Sequence, residues 1–185
     1  EKIGIESLQR KNQPHKISQT DFFTNRKIIK QRFAQLIQAP DYNNCAIIPS
    51  VSYGVATAAN CISVSKGDEI LLVDEQFPSN VYAWREKANK TAAKINVVGP
   101  PTNYTDRGEI WNQKILDSIN ANTKVVAMGH IHWADGTLFD LKEIRKKSHA
   151  VGAKLIIDGT QSVGALPFSV AEIQPDALIC AGYNW

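Results

Sequence analysis

Five stretches of the sequence place residues able to do chemistry directly after short apolar runs. The run Cys45–Pro49 gives way to Ser50-Val51-Ser52-Tyr53-Gly54, a hydroxyl-rich turn that opens a segment of small residues from Val55 to Ala59. Free amides at a helix start, with a hydroxyl nearby, can hold a phosphate. A helix cap made by Ser50 or Ser52 accounts for the same residues. There is neither a Walker loop nor a GxGxxG. The second stretch is Asp74-Glu75-Gln76-Phe77-Pro78-Ser79-Asn80, where Phe77 is placed either to stack on a flat ligand or to close the edge of a core. The third, Gly129-His130-Ile131-His132-Trp133, puts two imidazoles on one face of an extended segment, but without a third ligand nearby it is a weak metal signal. The fourth is Asp158-Gly159-Thr160-Gln161-Ser162. A carboxylate at a buried strand end needs a partner, either backbone N–H groups or a cation. The fifth is Ala181-Gly182-Tyr183-Asn184-Trp185.

These residues need a scaffold, and the pattern around them predicts one. Six runs rich in Val, Ile and Leu recur at Cys45–Pro49, Glu69–Val73, Lys94–Val98, Lys124–Met128, Lys154–Ile157 and Ala177–Cys180. Brief, nearly continuous apolar runs suit strands covered on both faces. Between them lie helical spacings. Phe22, Ile29, Phe33 and Ile37 share one face, and further helices are expected over Asn80–Lys90 and Glu109–Ile119. Asp140 with Glu143 reads as a cap and its partner, opening a helix to Ala150 that Gly152 ends. Pro100, Pro101 and Asn103 mark a loop. This alternation predicts an α/β fold with a mainly parallel sheet, whose ligands bind beyond the carboxyl ends of the strands.

Composition bounds the class. The chain has 185 residues and a net charge of +3, with 43% hydrophobic and 21% charged residues, which fits a globular domain and excludes a disordered one. No apolar stretch approaches the ~20 residues of a membrane helix, and the charge, spread over both signs, makes no electrostatic case for nucleic acid. Cys45, Cys61 and Cys180 are odd in number and lack a CxxC, which excludes a fully paired disulfide framework and a cysteine-rich zinc site. Cys45 and Cys180 read as small buried hydrophobes, and a reducing, cytoplasmic compartment fits.

Taken in order, SVSYG, FPSN, HIHWADG, DGTQS and AGYNW resemble the large domain of class V aminotransferase-fold enzymes. This family includes cysteine desulfurases, selenocysteine lyases, isopenicillin N epimerase-like proteins and kynureninases. The resemblance implies a three-layer α/β/α fold of type I and pyridoxal 5'-phosphate as cofactor. It implies an amino-acid substrate handled by transamination, lysis, desulfuration or epimerisation, and a homodimer. It assigns Val51 and Ser52 to the cofactor phosphate, Phe77 to the face of its ring, Asp158 to the ring nitrogen and Gln161 to the ring hydroxyl. Tyr183 is the residue before the family's Schiff-base lysine and often a phosphate contact, and His132 falls in the segment beneath the ring. FPSN is closer to the kynureninase and epimerase-like branches, since desulfurases place a histidine in this region.

The last motif departs from the family. Where the family has Gly-Tyr-Lys-Trp or Gly-His-Lys, this chain has Gly182-Tyr183-Asn184-Trp185. Lysine supplies the amine that forms the Schiff base and shuttles a proton, and the Asn184 amide is neither nucleophilic nor basic. An enzyme of this family is therefore expected to be inactive with Asn184, and a non-catalytic cofactor-binding or scaffold protein of the same fold is the alternative. The chain opens on Glu1, and its one methionine is Met128. Beside the family, residues 1–20 are expected to belong to a longer arm and 21–185 to a partial large domain, with the small C-terminal domain absent.

Overall fold

The computed structural model describes residues 1–102 and 105–183. The chain divides into two compact units, Glu1–Ile47 and the remainder from Ile48. No helix among the described residues is long and apolar enough to cross a membrane.

The first unit holds α1 (Lys2–Lys11) and α2 (Asp21–Leu36), with single 3-10 turns at Pro14–Lys16 and Tyr42–Asn44. Asp21 starts α2, pairs with Arg10 of α1 and accepts from the Ser18 amide at 2.7 Å, which fixes the corner between the helices. The helix over Phe22 to Ile37 is present as expected, but its apolar face is largely uncovered. Ile37 is buried and Phe33 half-buried, whereas Phe22 and Ile29 are exposed. Periodicity marks a face; burial needs a second layer, and what packs on α2 within this unit includes the short turn at Tyr42–Asn44.

The second unit is a five-stranded parallel sheet in the order β2-β1-β3-β4-β5. Its strands are β1 (Glu69–Val73), β2 (Lys94–Val98), β3 (Thr123–Gly129), β4 (Lys154–Asp158) and β5 (Ala177–Ile179). The helices are α3 (Val51–Cys61), α4 (Tyr82–Thr91), α5 (Arg107–Ser118), α6 (Leu141–Ala150) and the single turn α7 (Val170–Ile173). Strand alternation sends Ile70, Leu72, Val125, Ala127, Ile156 and Ile179 to one face, where they pack with Val55 and Ala59 of α3 and Trp84 and Ala88 of α4. Leu71, Val126, Met128, Leu155 and Ile157, also buried, take the opposite face, and α5 and α6 pack there against β2, β4 and each other. The result is the three-layer α/β/α architecture of fold type I. Trp84 and Trp111 are fully buried, one in each helical layer. The Trp111 indole donates to the Val98 carbonyl at 2.9 Å.

Caps behave as their residues dictate. Asp140 accepts from the amides of Lys142 and Glu143, and Gly152 takes a φ of +75° one residue beyond the C-cap of α6. Three expectations need correction. Cys45–Pro49 forms no strand, because an apolar run becomes one only by pairing; the described sheet ends at β2 and β5. β2 is not covered on both faces, since an edge strand of this sheet leaves Val97 44% exposed. Cys45 and Cys180 are half-buried rather than buried, and Cys61 is exposed.

Candidate functional site

The sheet order creates the site. From β1 the chain crosses to β2 on one side, and from β3 it crosses to β4 on the other, so the loops after β1 and β3 diverge. A parallel sheet opens a crevice at such a switch point, beyond the carboxyl ends of its strands. The cleft found there is lined by Val51 at the start of α3, Gln76, Phe77, Ser79 and Asn80 after β1, and Gly129, His132 and Trp133 after β3. Asp158 at the end of β4, Thr160 and Gln161 beyond it, and Tyr183 after β5 join them, with the apolar Val73, Ile131 and Phe139.

Asp158 ends β4 and is half-buried. Its Oδ1 accepts from the Thr160 amide and its Oδ2 from the Asn80 side-chain amide, both at 2.9 Å. Both partners are neutral, and no lysine or arginine is among the described residues lining the cleft. A carboxylate held in two directions, without a cation, is prepared for a positively charged ligand. The Ser79 hydroxyl, of another lining residue, is buried with no hydrogen-bond partner among the described residues. At the other side, Ser50 caps α3: its hydroxyl accepts from the Tyr53 amide and its carbonyl from Gly54. Within the helix, the Val51 and Ser52 amides have no carbonyl to bond, so they remain donors for an anion.

Phe77 stands at the cleft, 47% exposed, and meets Trp133 edge-on at 5.5 Å. His132 is buried, stacks at a tilt on Trp111, and sits between the Asp135 carboxylate at 3.1 Å and the Asp74 carbonyl at 3.2 Å. Burial pushes the Asp135 carboxyl up, but hydrogen bonds from Thr137 and Arg107 and the nearby His132 outweigh it and hold it at about 2. His130 turns elsewhere, against Phe168, and burial lowers its pKa. The two histidines thus have separate partners.

Of the residues singled out in the sequence, Val51, Phe77, His132, Asp158, Gln161 and Tyr183 line this one cleft. Ser52 is exposed and does not line it. Asn184 lies outside the described residues. Among the lining residues not singled out are Gln76, Asn80, Thr160 and Trp133. Asn80 and Gln76 belong to the stretch that carries Phe77, but their partners stand 78 and 53 residues away, at Asp158 and Gly129, and nothing in the local pattern announces them.

The chain matches the aminotransferase class-V family over residues 9–183, and it belongs to that family. It is 29% identical to a probable cysteine desulfurase of Mycolicibacterium paratuberculosis over 154 residues, covering 82% of this chain and 22% of the relative. It is 28% identical to the uncharacterized aminotransferase YcbU of Bacillus subtilis over 163 residues, covering 88% of this chain and 40% of that protein. The chain therefore spans well under half the length of these relatives. Among solved structures, the cystine C–S lyase C-DES superposes with a TM-score of 0.80 at 21% identity, covering 99% of this chain and 49% of that one. The cysteine desulfurase CsdA of Escherichia coli gives 0.76 at 21% identity, covering 90% and 42%.

Proposed function

We propose that this chain holds pyridoxal 5'-phosphate in the strand-end cleft for chemistry on an amino acid, and that with Asn184 it takes the cofactor without covalent attachment and without turnover. The observation that carries the reading is Asp158, a half-buried carboxylate engaged by neutral donors at both oxygens and facing a cleft whose described lining has no Lys or Arg. A protonated pyridine nitrogen is the cation that suits it. When bound, the cofactor supplies an electron sink, which works best with that nitrogen protonated.

The chain's own residues then have definite tasks. Asp158 stabilises the cationic ring nitrogen, and Asn80 and Thr160 hold its two oxygens in place. Phe77 sets the plane of the ring from one face, with His132 in the segment beneath. Gln161 bonds the ring hydroxyl. The Val51 and Ser52 amides at the α3 N-terminus hold the phosphate, with Tyr183 beside it. The desulfurase and aminotransferase names of the relatives support an amino acid as substrate, with transaminase, lyase, desulfurase and epimerase outcomes all within the family. A homodimer is part of the same reading. Asn184 favours a second one, a cofactor-binding protein that retains the fold without catalysis.

Absorbance titration with pyridoxal 5'-phosphate, followed by borohydride reduction and peptide mapping, tests the proposal. Saturable binding with no reducible adduct is expected for the unmodified chain, and an adduct at position 184 for Asn184→Lys. Asp158→Ala should weaken binding by about tenfold to a hundredfold, on the order of 1.5–3 kcal/mol for a charge-assisted contact. Unchanged affinity in Asp158→Ala would sink the cofactor assignment, and a reducible adduct on another lysine of the unmodified chain would sink the claim of non-covalent binding.

A further inference from the structure

We propose that Gln76 and Trp133 are positioning residues that set the orientation of Phe77 toward the cofactor; the inference rests on the cofactor reading above. β1 pairs with β3 up to Leu72 and Ala127, while Val73 stays paired with Val98 of β2. In a parallel ladder, the next residue of β1 would donate to the carbonyl before its partner and accept from the amide after it. By this register the partner is Met128, and the groups to be met are the Ala127 carbonyl and the Gly129 amide. The Gln76 side chain meets both: its Nε2 donates to the Ala127 carbonyl at 3.0 Å, and its Oε1 accepts from the Gly129 amide at 3.1 Å. A buried side-chain amide thus continues the ladder beyond its last β1–β3 pair, which pins the residue next to Phe77 to the end of β3.

Trp133, in the loop after β3, holds the same segment. Its indole N–H donates to the Glu75 carbonyl at 2.7 Å. Glu75 has a φ of +51°, a left-handed conformation that a non-glycine residue keeps only when its surroundings impose it. The Trp133 ring then meets Phe77 at an interplanar angle of 84°. Residues 75, 76 and 77 are each gripped by β3 or the loop that follows it, so the Phe77 ring has little freedom to tilt.

The experiment is a double-mutant cycle read by the affinity for pyridoxal 5'-phosphate and by the circular dichroism induced in the bound cofactor. Gln76→Met keeps the length of the side chain and removes its amide; Trp133→Phe, at a half-exposed position, keeps a ring edge and removes the N–H. Each should weaken binding about three- to tenfold and dim the induced signal, the size expected for one or two lost hydrogen bonds. In a Phe77→Leu background neither should weaken it further, since a residue that acts through Phe77 has nothing left to act on. Equal losses in both backgrounds, or none in either, would overturn the proposal while leaving the cofactor reading intact. Phe77→Leu binding as tightly as the unmodified chain would overturn the role of Phe77 and this inference with it. No binding by the unmodified chain would overturn both.

Discussion

Asp135 and His130 show how single groups tie the stability of this fold to pH. The Asp135 carboxyl is held at about 2 in the folded chain, against about 3.9 in an unfolded one. A depressed carboxylate contributes stability that is present above the unfolded value and lost as pH falls through the folded one. Acid melts between about pH 4 and 2 should therefore lose stability in the unmodified chain, and that limb should flatten in Asp135→Asn. His130 works in a different window. Burial lowers its pKa, so the unfolded chain takes up a proton near pH 6.5 that the folded chain refuses. Stability should fall as pH drops below about 6.5, and His130→Phe, which keeps an aromatic ring against Phe168, should remove that dependence in thermal melts. A His130→Phe chain with the same slope would mean that another group carries it.

At the level of elements, the approach of α3 to β5 depends on one glycine. A Cβ on Gly54 would stand 2.6 Å from Cδ1 of Ile48 and 2.8 Å from Cγ2 of Ile179, closer than carbon atoms tolerate. Gly54→Ala should cost about 1–3 kcal/mol, as overpacked cores do, measured by urea unfolding. Because Val51 opens the same helix at the cleft, a displaced α3 should weaken phosphate binding as well, which a titration with pyridoxal 5'-phosphate would read. A stable Gly54→Ala chain with full affinity would show that α3 has room to slide.

For the molecule as a whole, the sheet is what brings the site together. Leu71 is fully buried in β1, the strand between β2 and β3 whose end lies at the switch point. Leu71→Ala should cost about 2–5 kcal/mol, the transfer of the side chain plus the cavity it leaves. Chemical denaturation would measure that loss. A value under about 1 kcal/mol would mean that the layers of α5 and α6 collapse to fill the gap.

Much of this was legible in the residues. Lys154 to Ile157 and Glu69 to Val73 are strands because continuous apolar runs bury on both faces, and Asp140 and Gly152 bound α6 because a carboxylate accepts orphan amides and glycine tolerates positive φ. The strand ends that could hold a ligand were also apparent, since chemistry-bearing residues stand at the ends of apolar runs. The strand order was not, because it depends on pairings between distant segments whose apolar runs are chemically alike. Cys45–Pro49 carries the same pattern as the strands and pairs with none. Asn80 with Asp158, and Gln76 with Ala127 and Gly129, became visible only once β1, β3 and β4 lay side by side. Local sequence alone thus determined the elements and the residues at their ends, through burial, capping and backbone freedom. The tertiary structure decided which ends converge, because a hydrogen bond across the sheet exists only when long-range packing brings its two groups within reach.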